Sequence, residues 1–281
     1  MRRPRRAGAS ARGPLAAGVA AALAALAWAA PARLAAQGGP SDWDLTAATG
    51  ASPAAVAADT TGWHGNADLG FTLTAGNSKT TNLSIGGQVA WLKRRQAWTL
   101  GGQYLRATTD GDETANRGSG QLQYDYFPTP RFFVFGRGRI GFDKPAGLSR
   151  RLAPAAGAGY KIVATERVTL SAEAGGSWIQ DRFVNDSTDA AIHAAVGQNF
   201  DWAVSETTDL TQSLSWNPRA EDFGSYLVHG EVGLTTRIVG GLGLSVSFQD
   251  DYNSDPFVDP GTGVARKKND LTLVTGLSYK F

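Results

Sequence analysis

The sequence predicts an all-β protein: a transmembrane antiparallel up-and-down β-barrel of about 12 strands over residues 62–281. Three observations carry that prediction. From Trp63 onward, apolar and polar residues alternate with a period of two, which separates an oily face from a polar one. The connections between alternating segments are by turns short and longer. The last segment, Leu271 to Phe281, sets Leu271, Leu273, Thr275, Leu277, Tyr279 and Phe281 on one face and ends on an aromatic carboxy-terminus. Lipid cannot satisfy an unpaired backbone N–H or C=O, so a sheet that spans a membrane must close on itself. Tilted spanning strands need about 9–11 residues, a length most of these segments reach. A soluble sandwich or lipocalin-like barrel is the competitor, but it would turn its oily faces inward and has less use for aromatics at strand ends.

The chain begins with an address. Arg2, Arg3, Arg5, Arg6 and Arg12 form a basic region, Leu15 to Ala30 an Ala/Leu-rich core, and small residues lead to an expected cleavage after Ala36. The apolar run of about 16 residues is short of the roughly 20 that a spanning helix needs, so residues 1–36 are expected to be a signal peptide. Residues 37–61 lack periodicity and are expected to be a flexible periplasmic lead-in.

The strands follow in order. The first, about Trp63 to Ala75, opposes Trp63, Ala67, Leu69, Phe71 and Leu73 to His64, Asn66, Asp68, Thr72 and Thr74. The second turns Leu83, Ile85, Val89 and Trp91 outward; the third, Trp98, Leu100 and Tyr104; the fourth, Leu122, Tyr124 and Tyr126. The fifth is less regular, because Phe133 and Phe135 share the face of Arg137 and Arg139. The sixth surrounds Tyr160 and Ile162, and the seventh opposes Val168, Leu170, Ala172, Ala174 and Trp178 to Thr169, Ser171, Glu173 and Ser177. The eighth turns Ile192, Val196, Phe200 and Trp202 outward, the ninth Leu210, Leu214 and Trp216. The tenth opposes Val228, Val232, Leu234 and Ile238 to His229, Glu231 and Arg237, and the eleventh carries Leu242, Leu244, Val246 and Phe248.

Short periplasmic turns are expected near residues 94–96, 128–130, 164–167, 205–208 and 239–241. Longer extracellular loops are expected near 76–81, 108–117, 144–149, 181–188, 218–224 and 253–268.

Composition narrows the function. There is no Cys, which removes disulfides, a lipoprotein anchor and thiol chemistry. A net charge of +2 makes no case for nucleic acid. His64, His193 and His229 all fall on the inward face, without a Gly-x-Ser-x-Gly elbow or a metal-binding spacing; an outer-membrane lipase or protease is thus the rival reading, and no catalytic residue, cofactor or metal is assigned. Asp250, Asp251, Asp255 and Asp259 make the last long loop acidic, suited to solvent or to lipopolysaccharide through bridging cations.

The inward charges Arg137, Arg139, Lys161, Glu173, His229, Glu231 and Arg237 form the candidate site. They read either as an ion-pair ladder that fills the barrel and pins its register, or as a charged path for small ions and solutes.

Several motifs together resemble one family. Gly62-Trp63, Asp68-Leu69-Gly70, Thr74-Ala75-Gly76-Asn77-Ser78, Phe132-Phe133-Val134-Phe135-Gly136, Asp143, Ala146 to Arg151, Gly157-Ala158-Gly159-Tyr160 and Glu173-Ala174-Gly175 occur in the order of the YdiY-like salt-induced outer-membrane proteins, a domain of unknown function. The chain departs from that family's opening motif at Lys79, where an acidic residue is favoured. The resemblance implies an outer-membrane location and a link to salt or envelope stress. The closing strand likewise resembles those of outer-membrane barrels, which makes Tyr279 and Phe281 an expected signal for the barrel-insertion machinery. Expected partners are outer-membrane lipid and lipopolysaccharide, with the protein itself a monomer.

Overall fold

The computed structural model describes residues 61–74, 80–145, 147–256 and 268–281. The expected signal peptide, the lead-in up to residue 60, and the expectations at Lys79 and Asp259 lie outside the described residues. Thirteen segments form one sheet: β1 Gly62–Thr74, β2 Thr80–Lys93, β3 Gln96–Thr109, β4 Asp112–Tyr126, β5 Phe132–Asp143, β6 Leu148–Leu152, β7 Ala155–Ala164, β8 Val168–Phe183, β9 Thr188–Ala203, β10 Thr208–Pro218, β11 Tyr226–Val239, β12 Leu242–Asn253 and β13 Asn269–Lys280. Each strand pairs antiparallel with its sequence neighbours, except that β6 and β7 both lie between β5 and β8, and β1 pairs with β13, so the sheet closes.

β6 and β7 are halves of one strand. Leu152 pairs with Ile140 and Ala155 with Arg137 in one unbroken register on β5, and the same pair faces Gln180 and Ser177 on β8. The Ala153 N–H donates to the Arg139 carbonyl at 3.0 Å and the Trp178 N–H to the Pro154 carbonyl at 3.0 Å, carrying the ladder across the gap. Pro154 has no N–H to donate, and that alone interrupts the strand. The barrel is therefore twelve-stranded, the even number the sequence predicts.

Polarity is inverted relative to a soluble protein. Trp63, Leu69, Phe71, Leu100, Ile140, Ile192, Leu244 and Leu273 are exposed on the outer face, whereas Thr99, Asp125, Asp143, Arg117 and Lys161 are buried within. That arrangement suits a wall facing hydrocarbon and excludes the sandwich, whose oily faces would be internal.

The strands run longer than expected and shorten the loops. Most of the loop expected over 108–117 is strand; the chain reverses over Asp110 and Gly111, whose φ angles of 53° and 95° suit a tight hairpin turn. Asp250 and Asp251 are likewise strand residues rather than part of an acidic loop. Alternation separates them: Asp251 is buried beside His229, while Asp250 accepts a hydrogen bond from Asn269 Nδ2 at 3.0 Å. The longest connections, 219–225 and 254–268, are at the end opposite the termini.

Two close approaches lock the wall. A Cβ on Gly159 would lie 2.2 Å from Phe133 Cζ, so the glycine of β7 is the slot into which the inward Phe133 of β5 packs. At the closing seam, Gly65 and Phe281 exchange both backbone hydrogen bonds at 3.0 Å, and a Cβ on Gly65 would come within 2.6 Å of the Phe281 ring. Phe281 thus lies across β1 in the space Gly65 leaves open.

Candidate functional site

The alternation that turns apolar side chains to the outside sends every second residue into the lumen, which divides into a packed half and an open half.

The packed half lies against β4, β5, β7 and β8. Gln123 Nε2 donates to both oxygens of Asp125 at 2.8 and 3.1 Å, and Gln123 Oε1 accepts from Arg137 Nε at 2.7 Å. Arg137 Nη2 donates to both oxygens of Glu173 at 2.9 and 3.1 Å, and its guanidinium lies 4.9 Å from the centre of the Phe135 ring. This chain of contacts crosses from β4 over β5 to β8. Arg139 donates to Gln121 at 2.9 Å, and Arg151 meets Asp181 in a two-bond fork at 2.6 and 2.5 Å. Phe127, Phe133 and Phe135 form an internal aromatic cluster with Ala90, Leu92 and Ala97, and the Lys161 ammonium lies 5.0 Å over the Phe127 ring.

The open half lies against β1, β2 and β9–β13. It encloses a cavity of about 740 Å³ lined by small polar positions such as Ser84, Gly86, Thr211, Gly243, Ser245 and Ser247. The turns 165–167 and 205–207 and Gly241 also line it, so it opens at the end where the termini lie. Among the described residues, none from a turn at the opposite end does so. At its inner end Arg117 Nη2 donates to Thr272 Oγ1 at 2.9 Å, a bond that crosses the lumen from β4 to β13. Near the mouth, Lys280 Nζ meets Asp209 Oδ2 at 3.1 Å across two intervening strands, and Arg237 donates to the Glu206 carbonyl at 2.8 Å.

The seven predicted charges face inward but do not form one cluster. Arg137 and Glu173 pair directly; Arg139 and Lys161 belong to the packed half without joining that pair. His229 Nδ1 contacts Asp251 Oδ1 at 2.5 Å, and Glu231 accepts from Gln249 at 3.3 Å. Arg237 is exposed at the mouth. Tyr279 and Phe281 stack at 6.3 Å with both rings exposed, and Phe281 also borders the open half of the lumen. Gln121, Gln123 and Asp125 complete the network and were missed, although their alternation with Leu122, Tyr124 and Tyr126 marks them as inward. Arg117, Arg151, Asp181 and Asp251 were missed for the same reason, as loop or motif residues that prove to be strand. Among the described residues, no group of three or more His, Cys, Asp or Glu could hold a metal ion.

Wall and lumen together define a closed transmembrane antiparallel β-barrel with a polar interior. Residues 67–281 match the family described as "Protein of unknown function, DUF481", and the chain belongs to that family. It is similar to "Uncharacterized protein YdiY" of Escherichia coli (strain K12), at 21% identity over 194 residues, covering 69% of this chain and 75% of the relative. Among solved structures it resembles the NanC porin, with TM-score 0.49 and 11% identity, covering 77% of this chain and 100% of the porin. It also resembles the KdgM porin, with TM-score 0.44 and 9% identity, covering 78% and 99%. The translocator domain of the autotransporter NalP from Neisseria meningitidis gives a TM-score of 0.45 at 11% identity, covering 79% and 90%.

Proposed function

We propose that this protein is a non-enzymatic component of the bacterial outer membrane. Its barrel is monomeric, lies in contact with lipid and lipopolysaccharide, and acts as a narrow pore for small ions and solutes. The observation that carries the reading is the cavity of about 740 Å³ with charged and small polar residues in its lining, which a purely structural barrel has no need to keep unfilled. At its inner end Arg117 reaches Thr272 across the lumen. The exposed pair Tyr279 and Phe281 is the surface offered to the insertion machinery, and family resemblance supports a role in salt or osmotic stress.

The plugged-barrel alternative draws on the ion-pair network of the packed half, which occupies much of the cross-section. The enzyme alternative has less behind it. His229 and Asp251 are each only 5% exposed, and the crevice that His229 helps to line measures about 40 Å³, room for no more than a few waters.

Planar-bilayer recording of the purified barrel tests the pore. Small unitary currents are expected, and Arg117→Ala should raise them by about twofold or more by removing the side chain that crosses the lumen. If both the native protein and Arg117→Ala are silent, the plugged-barrel reading replaces this one.

A further inference from the structure

We infer that the open half of the lumen selects small inorganic cations over anions, through the unpaired carboxylates of Asp68, Asp201 and Glu231. The inference rests on the pore reading and names what passes.

All three acids line the cavity. Asp68 takes a hydrogen bond from Asn66, and Glu231 one from Gln249 at 3.3 Å, both neutral donors. Among the described residues, no Lys or Arg forms an ion pair with any of the three. They stand on β1, β9 and β11, so their charge is spread around the wall and does not form a single chelating cluster.

The same cavity is lined by four Lys and Arg against six Asp and Glu. Lys280 is paired with Asp209. Arg237 is bonded to the backbone of Glu206, whose own carboxylate accompanies it at the mouth. Arg167 follows Glu166 in one turn. Arg117 stands opposite Asp143 in the β4–β5 register, and that carboxylate is 2% exposed. Deeper in, His229 contacts Asp251. The unbalanced charge of the open half is therefore negative.

Confinement makes this excess count. Even one unbalanced negative charge in a space of about 740 Å³ demands a local counter-ion concentration of about 2 M, so cations partition in and anions are disfavoured. Screening sets the salt dependence: the Debye length falls from about 30 Å at 0.01 M to about 3 Å at 1 M, so selectivity should weaken as salt rises.

The test is the reversal potential, under a potassium chloride gradient, of protein purified from outer membranes in its processed form. The expected K⁺ over Cl⁻ permeability ratio is about threefold or more in dilute salt and falls towards one in molar salt. In mildly alkaline buffer Asp68→Asn, Glu231→Gln and Asp201→Asn should each lower the ratio, whereas Asp186→Asn, on the turn at the opposite end, should leave it unchanged. Heat-shifted gel migration confirms that each variant folds, and Asp201→Asn carries the comparison if Glu231→Gln does not. Open channels with a ratio at or below one overturn the cation inference while the pore reading stands. Silence from both the native protein and Arg117→Ala overturns both.

Discussion

Replacing Glu173 with alanine removes the anion against which Arg137 is held. The two side chains are 10% and 11% exposed, and two N···O contacts of 2.9 and 3.1 Å join them. Stripping one partner from a fully buried pair costs about 3–5 kcal/mol, because the other is left as an uncompensated charge. Arg137 would be better placed than that. It keeps the Gln123 oxygen at 2.7 Å and the Phe135 ring at 4.9 Å, so the expected loss for Glu173→Ala is about 2–3 kcal/mol. Arg137→Ala should cost a similar amount, and the double variant less than the sum, with a coupling of about 1–2 kcal/mol. Urea unfolding of the barrel in lipid vesicles, followed by the fluorescence of the six Trp between residues 62 and 281, measures all three. A coupling energy below about 0.5 kcal/mol would refute the claim that this pair organises the packed half.

Two further perturbations probe the wall. Gly65→Ala places a methyl within 2.6 Å of the Phe281 ring and 2.7 Å of the Gln88 carbonyl; it should weaken the closing seam by about 1–3 kcal/mol and lower the folded, heat-shiftable fraction, and a full yield of folded barrel would show that the seam tolerates the change. Pro154→Ala restores the N–H missing from the β6–β7 strand and should offer it to the Trp178 carbonyl opposite, stabilising the barrel by about 1 kcal/mol in the same unfolding assay; a loss of stability would mean that the proline's fixed φ matters more than the missing bond.

Much of the fold was legible because a period of two survives without knowledge of any partner strand. The outward series Leu69–Phe71, Leu122–Tyr124–Tyr126 and Leu242–Leu244–Val246 is readable from spacing, and the structure keeps it. The irregular fifth strand was legible as an irregularity but not as its cause: Phe133 and Phe135 face inward because β7 offers glycines for their rings to pack upon. Hairpin positions were harder. Polar residues such as Asn116 and Arg117 look like loop in a linear reading, and only pairing with Arg106 and Leu105 makes them strand.

By itself, the sequence determined the face of each strand residue, the even strand number and the closure of the sheet, since these follow from alternation and from the need to satisfy backbone groups away from water. Parity says that Arg137, Glu173 and Glu231 point inward, but not at what height or towards which wall. The stagger of neighbouring strands and the curvature of the closed sheet set those two coordinates. The tertiary structure alone therefore decided that Arg137 meets Glu173 36 residues away and that Arg117 reaches Thr272 155 residues away. It likewise decided that the large side chains gather against β4–β8 while the small ones leave the opposite half of the lumen open.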